Sequence, residues 1–177
     1  MVLLGAVFTL ARFSEAFLIL RAQQGGLGEA WAPMVLIAMN VVYSLGAYPF
    51  GKLADTMSHR KLLGLGLAVL VLADAALAAA NQGPLLWVCI ALWGLHMAMT
   101  QGLLATMVAD TSPAPLRGTA FGVFNLASGV AMLVASGLAG LLWDRFGGAT
   151  TFVAGAGISL AALAVLAWKA PAAANGR

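Results

Sequence analysis

Residues 84–109 read PLLWVCIALWGLHMAMTQGLLATMVA, an unbroken apolar run without Lys, Arg, Asp or Glu. A helix of that length rises about 39 Å, and roughly 20 apolar residues suffice to cross the hydrocarbon of a bilayer. Barrel strands would be short, alternating segments, whereas a continuous run rich in Leu, Ala, Gly and Met satisfies its own backbone in lipid as a helix. Five more runs of the same kind lie on either side, at 1–21, 32–53, 61–81, 118–143 and 149–169. The reading is therefore an all-α membrane protein with six transmembrane helices over 1–169, followed by a small, polar tail at 170–177 predicted to be disordered.

Composition agrees. Of 177 residues 62% are hydrophobic and 8% charged, against roughly a quarter charged in soluble domains, and the mean hydropathy is +0.97. So much apolar surface exceeds what a small core can hide, and the excess belongs against lipid. Disorder needs low hydrophobicity and nucleic-acid binding a dense basic patch; neither is present. The single cysteine, Cys89, sits inside an apolar run, so no intramolecular disulfide forms and a buried thiol is expected. The apolar start lacks a basic leader region and a cleavage site, and is read as part of the fold.

Between the runs, Gln23–Gly28, Asp55–Lys61, Asn81–Pro84, Asp110–Gly118 and Trp143–Gly148 collect turn-forming and charged residues. Short connections make neighbouring helices antiparallel. Lys52, Arg60, Lys61, Arg117, Lys169 and Arg177 then share one side, and Arg21 and Arg145 the other. The positive-inside bias predicts a multi-pass protein of the plasma (inner) membrane with both termini cytoplasmic.

In the fifth run Gly118, Gly122, Asn125, Gly129, Ser136 and Gly140 fall within roughly 60° of one another on a helix. Such a bare ridge suits close helix packing, with Asn125 the member that needs a partner, a water or a ligand. Tyr48 and Pro49 close the second run, where proline removes a ladder hydrogen bond and offers either a bend or a tolerated helix end.

The second connection reads Gly51-Lys-Leu-Ala-Asp55-Thr-Met-Ser58-His59-Arg60-Lys61. It resembles the G-x-x-x-D-[RK]-x-G-[RK]-[RK] signature between the second and third helices of each half of major facilitator superfamily transporters. Gly51, Asp55, Arg60 and Lys61 fit; Thr56, Ser58 and His59 depart. Arg117-Gly-Thr-Ala-Phe-Gly122 and Leu142-Trp-Asp-Arg-Phe-Gly147 look alike in the same family at the same places. The resemblance covers essentially the whole chain, but such a carrier has twelve spans in two halves, so the chain looks like one six-helix half, more similar to the C-terminal one. The resemblance implies that Gly51, Asp55, Arg60 and Lys61 form a conformational latch; from the residues alone, cytoplasmic charge for insertion is an equal reading.

Arg12 and Glu15 lie three residues apart inside the first run, on one helical face and able to pair. Ionisable groups at that depth point to a bundle interior or wet cavity, for substrate or proton handling or as a structural ion pair. In the fourth run Trp93, His96 and Thr100 share a face, with Gln101 farther round; His96 is either a proton-exchanging group or a hydrogen-bonded packing residue. In the family the first and fourth helices of each half line the central cavity, which by resemblance directs Arg12, Glu15, His96, Thr100 and Gln101 to the substrate path, with Asn40, Tyr43 and Asn125 as further candidates. Asp74, about 10 Å below the outer end of the third run, has several readings: protonated, hydrated, paired, or a coupling group.

No CxxC, HExxH, phosphate-binding glycine loop or dinucleotide fingerprint occurs, and Ser128-Gly129 and Ser136-Gly137 lack a protease context, so no enzyme activity, metal site or cofactor is expected. The expected function is transmembrane transport of a small solute by alternating access, proton coupling being open. Its expected partners are that small-molecule substrate, membrane lipid, and a second six-helix half or a second copy, with no nucleic acid. The alternative is a non-transporting truncated product or a six-helix assembly partner.

Overall fold

The computed structural model describes residues 8–9, 11–80 and 82–168; the tail at 170–177 lies outside them. All regular structure among these is helical: α1 (Ala16–Gln24), α2 (Ala32–Thr56), α3 (His59–Ala79), α4 (Pro84–Asp110), α5 (Arg117–Phe146) and α6 (Gly148–Trp168), with single 3-10 turns at Glu29–Trp31 and Ala114–Leu116. Five of the helices, α2 to α6, are long and apolar enough to cross a membrane. The sixth, α1, has nine residues.

The first run is thus not one continuous helix over 1–21. Phe8 and Thr9 are helical, the chain leaves helical geometry over Ala11–Glu15, and α1 begins at Ala16. The polar triplet Arg12, Ser14 and Glu15 sits at this break, where side chains and distant helices replace the ladder bonds of a helix.

Helix ends follow local chemistry. Gly83 adopts φ +75° and Pro84 opens α4, using a position where the missing N–H costs nothing. Gly147 (φ +84°) alone forms the corner between α5 and α6, a left-handed conformation other side chains rarely adopt. Trp143–Phe146, expected in that connection, instead continue α5. α2 runs through Pro49 to Thr56, which leaves only Met57 and Ser58 between α2 and α3.

α4 is the central helix. It packs on α2, α3 and α5, while α3 and α5 also pack on α6. Close approach comes from single glycines: a Cβ on Gly94 of α4 would strike the Met39 carbonyl of α2, one on Gly66 of α3 would strike the Thr100 methyl of α4, and one on Gly46 of α2 would stand 2.8 Å from the Ala98 Cβ. The bare ridge of α5 does not serve this purpose. Nothing lies within 4 Å of a Cβ built on Gly118, Gly122, Gly129 or Gly140, and α5 buries Ala131, Ala135 and Ala139 instead. Three methyls spaced four apart give a flat seam on that face, and the glycine side stays open.

Two apolar clusters form the core. One gathers Phe13, Phe17, Leu70, Leu77, Trp93 and Phe152; the other Phe8, Ala11, Leu62, Leu67, Met99 and Leu103. The break in the first run lies where they meet. Large apolar side chains cover the outside, among them Leu45, Leu126 and Leu133 at 74%, 70% and 75% exposure, as a lipid-facing surface requires. Gly94→Ala should cost about 1–3 kcal/mol by overpacking against backbone, whereas Gly122→Ala should be neutral or slightly stabilising. Thermal unfolding of both variants in detergent checks the contrast.

Candidate functional site

A cavity of about 340 Å³ opens between the first run, α4 and α5. Arg12 lines it from the break, His96, Thr100 and Gln101 from α4, and Asn125 and Ser128 from α5, with Phe8 and Phe124 as aromatic walls. Five of the eight substrate-path candidates are therefore brought together. His96 is one residue from the midpoint of α4, the depth at which transport sites of repeat-built carriers lie.

The α4 groups are largely committed to the fold. His96 is 1% exposed, and its Nδ1 lies 2.8 Å from the Gly66 carbonyl of α3. Thr100 donates its hydroxyl to the His96 carbonyl at 2.8 Å. The α5 groups are freer: Asn125 is exposed on the open side of its helix, and the buried Ser128 hydroxyl has no hydrogen-bond partner among the described residues. Ser128 carried no signal for this role, because a serine in a Leu/Gly/Ala helix usually bonds its own backbone.

Trp93 was expected to share the polar face of His96. It is fully buried, its ring 6.5 Å from that of His96 in an edge-on contact and its indole N–H donating to Asp74 Oδ1 at 2.8 Å. The spacing of three residues does make the two rings neighbours; Trp93 belongs to the apolar cluster, and of the two only His96 lines the cavity.

Arg12 and Glu15 do pair, Nη2 to Oε1 at 3.6 Å. They pair across a break, not along a helix face. Glu15 directly precedes α1, where the positive end of the helix dipole favours its carboxylate. Its side chain borders a second cleft of about 370 Å³ with Ser14, Met39 and Asn40. Asn40 is exposed and donates back to the Leu36 carbonyl at 2.8 Å. Tyr43 packs against the Phe13 cluster and lines neither cleft.

Besides its local turn bonds, the break is held from far away in sequence. The Ser14 N–H donates to Ser136 Oγ of α5 at 3.2 Å, and Ser159 Oγ of α6 donates to the Ala11 carbonyl at 3.2 Å. Ser136 belongs to the ridge of small residues on α5; Ser159 stands in an apolar run with no pattern that marks it. Phe13 fills the inner side, with ring centroids 5.2 Å from Phe17, 5.4 Å from Phe152 and 5.9 Å from Trp93. Arg21, at the other end of α1, is buried and donates to the Leu77 and Ala78 carbonyls at 2.9 and 3.0 Å, capping the otherwise orphaned C-terminus of α3.

At the opposite end, Gly51, Asp55 and His59 border a cleft of about 70 Å³ against Gly102 and Thr106 of α4. Asp55 and Lys61 are exposed and Arg60 half-buried. Of the residues matching the loop signature, Gly51 and Asp55 therefore lie in the last turns of α2 beside α4, and Arg60 and Lys61 in the first turn of α3.

The described residues thus form a helical bundle with an apolar exterior and a cavity beside the break in the first run. The family model of the Major Facilitator Superfamily matches residues 1–176, and the chain belongs to that superfamily. It is 34% identical over 148 residues to an uncharacterised MFS-type transporter of Methanocaldococcus jannaschii, an alignment covering 80% of this chain and 37% of that protein.

Ser159→Ala and Ser136→Ala should each strand one backbone group of the break, costing about 1–3 kcal/mol and speeding amide exchange over residues 11–15. Exchange mass spectrometry in detergent measures this; protection equal to wild type would remove the two serines from the role.

Proposed function

We propose that this chain is one six-span half of a secondary carrier, resembling the C-terminal half, that moves a small solute through the cavity beside the break. The observation that carries the reading is the cavity itself: a polar recess at mid-depth of a membrane bundle, with Arg12 the one charged group on its described walls. Family membership supports membrane transport, and the open glycine side of α5 supports a missing face, to be supplied by a second half or a second copy.

The lining supports a solute with an anionic group. Arg12 reaches the cavity while its partner Glu15 borders the neighbouring cleft, so a carboxylate or phosphate entering the cavity competes with Glu15 for the guanidinium, and Gln101, Asn125 and Ser128 supply neutral donors. Phe8 and Phe124 accept an apolar or aromatic remainder. The break lets this contact and the packing of Phe13 move together, since helix interruptions at carrier sites absorb the change between outward and inward states. Asp55, Arg60 and Lys61 act at the cytoplasmic edge as the latch, with both termini on that side of the plasma membrane.

Thermal stability of the purified chain, measured against a panel of small organic anions, amines and neutral sugars, tests the assignment. An anion at a hundredfold its dissociation constant should stabilise by about 2.7 kcal/mol, or roughly 5 °C or more, and Arg12→Gln should abolish the shift. Stabilisation by sugars or amines alone would refute the anionic assignment. Uptake of the stabilising anion into vesicles holding only this chain would indicate self-association; its absence, with a monomer in detergent, favours the assembly-partner reading.

Neutralising Asp55 should slow or unbalance gating while leaving solute affinity within about twofold, since a rim charge screened by water contributes little to a distant site. Parallel binding and exchange measurements on Asp55→Asn check this.

A further inference from the structure

We propose that Asp74 is a proton-exchange site coupled to opening and closing of the break in the first run. It lies outside the cavity, and the inference does not depend on which solute the cavity takes. Asp74 is fully buried on α3. Its Oδ1 accepts the Trp93 indole N–H at 2.8 Å, and its Oδ2 has no hydrogen-bond partner among the described residues. Two elements close over that second oxygen. A Cβ built on Gly155 of α6 would stand 2.8 Å from Asp74 Oδ2 and 2.7 Å from Phe13 Cε1, so the carboxyl, the bare α6 backbone and the Phe13 ring share one small space.

The surrounding charges do not pair with it. From α4 come Cys89 and His96, both buried, with His96 Nδ1 already against the Gly66 carbonyl. α6 carries no titratable side chain between Gly148 and Trp168. From the first run, Arg12 and Glu15 hold each other, and Arg21 is spent on the carbonyls of Leu77 and Ala78. An ionised carboxylate offers about four acceptor sites, and here one neutral donor meets it, which is a costly way to bury a charge.

The closed packing therefore suits the neutral acid, with the proton on the oxygen that lacks a partner. When Phe13 withdraws, Oδ2 gains access to water and to the freed backbone of residues 11–15; the O–H bond breaks, the proton leaves to water and the anion remains on the Trp93 donor. Since the two states of the break bind the proton differently, proton uptake favours the closed break and proton release the open one. Phe13 joins this carboxyl to the cavity wall, because Arg12 is its chain neighbour.

Infrared difference spectroscopy on the full chain in liposomes tests the site with protons as the only ligand, titrating from roughly pH 5 to pH 9. The wild type should show a protonated-carboxyl band that disappears as pH rises. Asp74→Asn should lack it, and Trp93→Phe, which removes a donor to the anion, should raise its midpoint by about one pH unit. Amide exchange over residues 11–18, corrected for its intrinsic pH dependence, should quicken across the same titration in the wild type and stay flat in Asp74→Asn. A band surviving in Asp74→Asn, no titrating band in the wild type, or equal pH dependence of the break in both proteins would overturn the proposal. If Asp74→Asn fails to fold, an unmoved midpoint in Trp93→Phe overturns it by itself. None of these readouts involves solute, so their failure leaves the cavity assignment standing.

Discussion

In hydrocarbon no water is available to pair with a backbone N–H or C=O, so every departure from helix must be satisfied by the protein itself. The break at Ala11–Glu15 meets that constraint in part with local turn bonds, such as the Arg12 N–H to the Thr9 carbonyl, and in part with two hydroxyls brought from far along the chain, Ser136 on the N–H of Ser14 and Ser159 on the carbonyl of Ala11. Docking of α5 and α6 therefore supplies two of the bonds that hold the interruption. Its location follows from the same requirement, since it lies where the two apolar clusters meet and Phe13 can plug the gap from inside.

Around this point hydrophilic groups are sorted in two directions. Arg12, Gln101, Asn125 and Ser128 turn to the open cavity, while Asp74 and Trp93 turn to the interior of the α3, α4 and α6 packing. α4 divides the two. Gly94 of α4 lets α2 approach closely, and Gly66 does the same from α3, where its carbonyl meets His96 Nδ1. A carboxyl sealed in the packing and a guanidinium on the cavity wall are the two extremes of this sorting.

Charged groups outside the apolar depth are placed by different physics. Lys52, Arg60, Lys61 and Arg117 crowd the α2–α3 and α4–α5 ends, where headgroup phosphates and water carry the electrostatic cost, and the loop signature is spread over two helix ends with Met57 and Ser58 between them. Arg21 is the exception: it sits at the other end, buried, and its function is to close α3.

Hydropathy alone established the helical class and placed α2 to α6 within a few residues, because the solvent argument acts on each run independently of its neighbours. The loop signature and the Trp143–Gly147 stretch identified the superfamily for the same reason: they are local patterns. Interior arrangement was not legible in this way. The glycine ridge of α5 looked like a packing face and is open, the bond from Trp93 to Asp74 had no mark in the sequence, and the first run looked continuous and is broken. Each of these depends on which side of a helix meets another helix, and in a helix apolar on every face the amino-acid order carries almost no directional signal. The sequence by itself determined that the chain lies in lipid and along which segments; only the tertiary structure decided which of its few polar groups face a cavity and which are sealed in the core.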